Sequence, residues 1–273
     1  MRDIQNVVRA AQQGDQAALT EVVSRIQDTI YKLSIRMLAD ATAAEDATQD
    51  ILVLVITRLS QFRGDSRFST WVYRVAVNHL LTARKIRARE FGLTFEDFAD
   101  DLEDGLHDSD AADPTDVVMF NELRVACTMA MLLCLDMDHR IAYVLGRILE
   151  LSQSEAIEIL GLPAATYRKR VSRASAKVEA FTAQRCGVVS PDTAKCACPR
   201  RLPRALEMQR IDPSAPLTQC RDTPGYYDVL REVSRVEESL RGLCAQKLVP
   251  EFRNPRSFSD KLKQILTDRT NPV

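Results

Sequence analysis

Apolar residues return at steps of three and four through Leu19, Val22, Val23, Ile26, Ile30, Leu33 and Met37, the stripe of an amphipathic helix. A second helix is predicted to open at Thr42 and Glu45, a capping box in which each side chain bonds the other's backbone, and to run to about Gln61. Ser69 stands where it can cap a third, along a basic stretch ending near Lys85. Val117–Glu150 is helix-forming, with Leu123, Ala126, Cys127, Ala130, Leu133 and Cys134 on one broad apolar face. Beyond it Ser152 and Glu155 make another capping box, Gly161 ends a short helix, Leu162 and Pro163 turn, and a further helix opens near Ala164. That order is the order of a helix-turn-helix. Leu230, Val233, Val236, Leu240 and Leu243 predict a helix over about 225–246, and a short one near Ser257–Leu266 closes the chain. The pattern predicts an all-α fold.

At 273 residues the chain can carry two or three small domains with their own cores. Its longest apolar stretches, ILVLVI at 51–56 and MAMLLCL at 129–135, fall far short of the roughly 20 residues that span a bilayer. The opening MRDIQNVVRAAQQGD has no apolar core of a secretory leader, so a cytoplasmic protein without membrane contact is expected. Seven cysteines in a reducing compartment are not expected to form a disulfide framework.

The formal net charge of −1 conceals a strong partition. Arg63 to Arg89 holds seven arginines and lysines against one acid, whereas Glu90 to Asp116 holds eleven acids and no lysine or arginine. Ala164 to Glu179 again holds five bases against one acid. The acidic stretch lacks a sustained period and is expected to be a linker between two basic domains. Domains at 1–89, 117–181 and 182–273 follow, with 90–116 as the linker.

Two basic blocks carry candidate chemistry. Between Phe62 and Lys85 the aromatics Phe62, Phe68, Trp71 and Tyr73 interleave with Arg63, Arg67, Arg74, Arg84 and Lys85 around a Gly64-Asp65-Ser66 turn. Aromatic faces accept unstacked bases and arginines neutralise phosphates, which suits single-stranded nucleic acid; some of the same rings must also serve as core. Arg168, Lys169, Arg170, Ser172 and Arg173 fill the first half of the second helix of the helix-turn-helix, where a recognition helix meets the major groove. Asp46, Gln49 and Asp50 share one helix face, which reads equally as a solvated acidic surface near a helix N-terminus.

The segment AEDATQDILVLVITRLSQFRGDSRFSTWVYRVAVNHLLTARK resembles region 2 of the extracytoplasmic-function sigma factors of bacterial RNA polymerase. RIAYVLGRILELSQSEAIEILGLPAATYRKRVSRASAKV resembles their region 4. The resemblance covers roughly residues 5–181. It departs at LDMDHR, where the family opens with Leu-Pro, and at Tyr167, where a small aliphatic residue is common. It implies partners in the polymerase core (β′ clamp and β flap) and promoter DNA, with an anti-sigma factor as a further candidate, and it implies no catalytic residue. Asp46, Gln49 and Asp50 fall where the family contacts the β′ clamp. Arg63, Gly64, Asp65, Ser66, Phe68, Trp71, Arg74, Asn78 and His79 fall where it opens the −10 element, and Arg84, Lys85 and Arg87 where it grips phosphate. Thr166, Arg168, Lys169, Arg170, Ser172 and Arg173 fall where it reads the −35 element. The acidic linker falls where the family's linker enters the RNA path. A helix-turn-helix regulator acting without polymerase remains the alternative, although it leaves the block from Phe62 to Lys85 unused.

The tail adds Cys186, Cys196, Cys198 and Cys220, spaced C-x9-C-x-C-x21-C. Four thiolates can build a tetrahedral site for Zn²⁺ or another thiophilic metal. Redox sensing and inert packing are the other two readings. A thiol enzyme is disfavoured, because no pair has C-x-x-C spacing and none of the three histidines lies in the tail. Some family members carry metal-sensing cysteine-rich extensions, which this tail resembles. Cys127 and Cys134, seven apart on an apolar face, read as core.

Overall fold

The structure is a computed structural model that describes residues 3–87, 92–106, 117–214, 225–249, 252–255, 257–260 and 262. Among the described residues the regular structure is helical, as expected, apart from one isolated bridge between Cys186 and Cys196. The chain divides into two compact units. One comprises Met1–Arg87, Ile157–Leu162 and Phe252–Val273; the other comprises Ala88–Ala156 and Pro163–Glu251.

The first unit is built on α1 (Ile4–Gln12), α2 (Gln16–Leu38), α3 (Ala41–Thr57), a 3₁₀ turn at Leu59–Gln61 and α4 (Phe68–Arg87). Val22, Val23, Ile26, Ile30, Leu33 and Met37 of α2 are buried as their stripe predicts, against Ile51, Leu52 and Val55 of α3 and Val72 and Leu80 of α4. The predicted start of α3 shifts. Asp40, two residues before Thr42, accepts from the Ala43 N–H at 2.6 Å and opens the helix. Ser69 likewise does not cap α4, because the helix has already begun at Phe68 and the Arg67 carbonyl takes the Trp71 N–H at 3.1 Å. In the C-terminal stretch of this unit, the Arg36 guanidinium lies 5.0 Å from the Phe252 ring centroid and Asp28 accepts from the Asn254 N–H at 3.1 Å. Burial of Arg36 lowers its pKa to about 10.

The remaining elements are α5 (Phe95–Glu103), α6 (Val117–Leu133), α7 (Met137–Tyr143), a π-helical turn at Val144–Ile148, α8 (Gln153–Leu160), α9 (Ala164–Arg185), α10 (Cys198–Glu207), α11 (Tyr226–Ser234) and α12 (Glu238–Lys247). The helix-forming stretch 117–150 thus breaks at LDMDHR. Asp136 caps α7, and the buried Arg140 turns back to donate to the carbonyls of Leu132, Leu133 and Leu135 at 2.5, 2.8 and 2.8 Å. These carbonyls stand at and just beyond the end of α6, where helical N–H partners run out.

Two expectations change here. The acidic stretch expected as a linker holds α5, whose Thr94–Asp97 capping box closes at 3.0 Å and whose Phe98, Ala99 and Leu102 are buried. The cysteine-bearing extension shares the core of the helices before it. Phe120 and Leu123 of α6 pack with Leu202 and Ala205 of α10 and Val229 and Val233 of α11. Phe98, Leu102, Met131 and Phe181 form an adjoining cluster. The helix predicted over 225–246 is two, broken between Ser234 and Glu238.

Candidate nucleic-acid interface and thiol cluster

On α3, Ala44, Ala47, Thr48 and Ile51 face the core, so Asp46 and Asp50 are left exposed and Gln49 half-buried on the other side. The Asp50 carboxylate lies 3.7 Å from Nε2 of His79 on α4.

Between the 3₁₀ turn and α4 the chain turns at Gly64, whose φ of 84° is one that side-chain-bearing residues rarely adopt. Phe62, Phe68 and Trp71 interlock there, with centroids 5.3, 5.6 and 5.9 Å apart. Phe68 is only 3% exposed, and its ring stacks against Trp71. Half-buried Trp71 lines an open groove of about 660 Å³ with Arg63, Asp65, Ser66 and Arg74. Arg74 also donates to the Glu158 carboxylate at 2.8 Å. Asn78 is exposed and His79 half-buried. Arg84, Lys85 and Arg87 fall on the last turns of α4, but their side chains lie outside the described residues. The sequence reading missed Gln12. Its amide donates to the carbonyls of Leu59 and Phe62 at 2.9 and 2.8 Å, tying α1 to the start of the turn across about fifty residues.

In the helix-turn-helix, the Ser152–Glu155 box forms as predicted, and Gly161 ends α8 with φ 62°. Thr166, Arg168, Lys169, Ser172 and Arg173 are exposed on the first turns of α9. Arg170 differs from them, because Asp138 of α7 holds its guanidinium at 2.6 Å. Tyr167 points inward, 4% exposed, and burial raises its pKa. A Cβ on Gly146, inside the π-helical turn, would stand 2.2 Å from the Tyr167 hydroxyl. The large residue at this position is therefore accommodated by a glycine across from it.

Cys186, Cys196 and Cys198 line one cavity of about 40 Å³, and Cys127 of α6 joins them. Cys220 lies outside the described residues. Phe98 and Phe181 supply apolar wall, and Arg124 reaches the same space. The Gly187 N–H bonds the Cys196 carbonyl at 2.8 Å, and a Cβ on Gly187 would meet that oxygen at 2.5 Å. Close backbone pairing here requires glycine. Burial pushes the Cys196 thiol up to about 12, with Cys186 adding to the effect, and raises Cys127, Cys186 and Cys198 as well. Arg124 and Arg201 act in the opposite direction. The donors suit a thiophilic ion in kind. Among the described residues, however, no group of three or more histidine, cysteine or carboxylate side chains is arranged to hold a metal ion.

The Sigma-70 region 2 family matches residues 22–90. Over 178 residues the chain is 31% identical to the RNA polymerase sigma-H factor of Pseudomonas aeruginosa, covering 64% of this chain and 91% of that protein. It is 33% identical over 179 residues to the ECF RNA polymerase sigma factor SigW of Bacillus subtilis, with 62% and 91% covered. Against the ECF RNA polymerase sigma-E factor of Escherichia coli K12 the identity is 30%, with 64% and 92% covered. A solved structure of CnrH in complex with the cytosolic domain of CnrY aligns with TM-score 0.49 and 24% identity, over 66% of this chain and 97% of that one. Region 2 and its relatives place the protein among the sigma-70-type sigma factors. Within that class the chain belongs to the extracytoplasmic-function (ECF) family. No helix among the described residues is long and apolar enough to cross a membrane.

Proposed function

We propose that this sigma factor docks on the polymerase core through Asp46, Gln49 and Asp50, opens the −10 element at the turn around Gly64, and reads the −35 element with α9. The observation that carries the reading is the groove at that turn, where Trp71 shares a wall with Arg63 and Arg74. An aromatic edge beside guanidinium groups suits an unstacked base and its phosphate. Exposed carboxylates on α3 suit a basic partner surface, and exposed Arg168, Lys169 and Arg173 suit a DNA groove. Bond-making in this reading belongs to the polymerase, and the chain selects where it starts. Its place of action is then the compartment that holds the polymerase.

The extension supplies control through its thiols. The signal is a thiophilic metal ion or an oxidant, each of which acts on the thiolate form. Run-off transcription from genomic fragments, with core polymerase and the full chain, should give discrete start sites absent with core alone. No start sites above that background would overturn the reading. Asp50→Lys should impair holoenzyme assembly while leaving the melting curve unchanged; unaltered assembly would remove α3 from the polymerase contact.

A further inference from the structure

We propose that Asp138 of α7 is a specificity-determining residue of the −35 readout: it holds Arg170 at the flank of α9 and so leaves the reading of the element to the side chains beside it. This rests on the −35 reading of α9 given above, and it adds a residue that lies outside the recognition helix.

The first turns of α9 present Thr166, Arg168, Lys169, Ser172 and Arg173 to solvent, and Arg170 is not among them. Tyr167, Ala174 and Val178 form the buried row of the helix. At about 3.6 residues per turn, Arg170 stands at the edge of that row, whereas Lys169 stands almost opposite it. The Arg170 side chain is 23% exposed, and its Nη2 lies 2.6 Å from Oδ2 of Asp138. Arg168, Lys169 and Arg173 enter no ion pair among the described residues. The acid that holds Arg170 is itself fixed in place. Asp136 caps α7, Arg140 ties that helix to the end of α6, and α7 packs along α9. Lys177, two turns beyond Arg170 on the same flank, lies within the field of Asp136. Stereochemistry gives the hold a consequence. A guanidinium reads guanine with two neighbouring N–H groups, either Nε with Nη2 or Nη1 with Nη2. Both arrangements use Nη2, and Asp138 already takes one of its two hydrogens. The carboxylate also sets a negative charge beside the guanidinium, where it opposes a phosphate or a guanine acceptor.

The test uses the full chain with core polymerase, on promoter fragments recovered by the run-off assay with their −35 positions randomised. The native holoenzyme should select a −35 sequence. Asp138→Asn removes the charge and keeps the shape, and Asp138→Ser serves as a second variant. Both should bind several-fold more tightly, with log affinity against log salt steeper by about one. Their selected sequence should gain a guanine preference at one further position. Loss of a negative charge near DNA would by itself tighten binding, so Asp138→Asn is also made together with Arg170→Ala. There it should change neither the selected sequence nor the salt slope, because the effect passes through Arg170. Asp138→Glu should restore the native selection. Melting without DNA reports any weakening of α7 from the loss of a first-turn acid, an effect that shifts no base preference. Native selection and slope in Asp138→Asn, or the same change with and without Arg170, overturns the role of Asp138 and leaves α9 as the reader. A native holoenzyme with no −35 preference overturns the reading of α9, and this proposal with it.

Discussion

Asp136 does two jobs at the start of α7: it accepts from the His139 N–H at 3.0 Å and pairs with the His139 ring at 2.7 Å. Partial burial alone would raise its pKa, but the hydrogen bonds and charge of His139 outweigh that and hold it below its usual value. A depressed folded pKa means stabilisation that is present above the unfolded value, about pH 4, and lost as pH falls through the folded one. Asp136→Ala should cost about 1 kcal/mol near neutral pH in denaturant melts, with the gap from native shrinking below about pH 4. A gap that persists in acid would mean that packing, not the ionised cap, is being lost. Gly146 and Tyr167 make a second test. Gly146→Ala places a methyl 2.2 Å from the Tyr167 hydroxyl and should cost roughly 1–3 kcal/mol. Tyr167→Phe should recover much of that in the double variant, because the next nearest ring atom is 3.3 Å away. Additive effects would disprove the contact. The Ser152–Glu155 box was legible because all its partners lie within four residues. Gln12 was not, because nothing local tells a glutamine that it will hold a turn fifty residues away.

Helix α5 shows why an element can be hidden in composition. Eleven acids without a base suggested a solvated linker, yet Phe95, Phe98 and Leu102 give the stretch a short apolar stripe. The charges find partners far along the chain. Arg201 and Arg210 reach the Asp101 carboxylate at 2.9 and 2.6 Å, and Arg204 reaches Asp104 at 2.8 Å. Arg201, 2% exposed, also donates to the Asp104 carbonyl at 2.7 Å. Arg201→Ala leaves that carbonyl without its donor, at a cost of roughly 1–3 kcal/mol. It should raise amide exchange selectively over 95–103; unchanged exchange there would show that apolar packing alone seats α5. The recognition face of α9 is legible in sequence as a basic run, but its internal difference is not. Arg173→Ala should weaken −35 binding by roughly 1–3 kcal/mol if its guanidinium takes a base edge. Equal loss on every −35 variant would instead mark a phosphate contact. Arg170→Ala should lose less than Arg173→Ala, because Asp138 already holds that guanidinium.

The stretch matched to relatives covers 64% of this chain, so about a third lies outside it, and hydrophobic periodicity alone cannot say whether such a remainder is an appendage. An amphipathic stripe shows that a helix has a partner without saying which one. Here the stripes of α10 and α11 close over Phe120 and Leu123 of α6 in one core. Cutting the chain after Arg185 would remove Leu202, Ala205, Val229 and Val233 from that core and expose two side chains that are at most 2% accessible. Each buried side chain of this size contributes roughly 1.5–3 kcal/mol, and whole domains are stable by only about 5–15 kcal/mol. The truncated chain should therefore melt at lower temperature in a transition assigned to the second unit, bind an apolar dye, and read the −35 element poorly. The first unit, whose helices α1 to α4 keep their own core, should retain its own transition. A truncated chain with the native second transition and native promoter selectivity would make the extension an appendage, and control would then have to act on something other than the packing of α6.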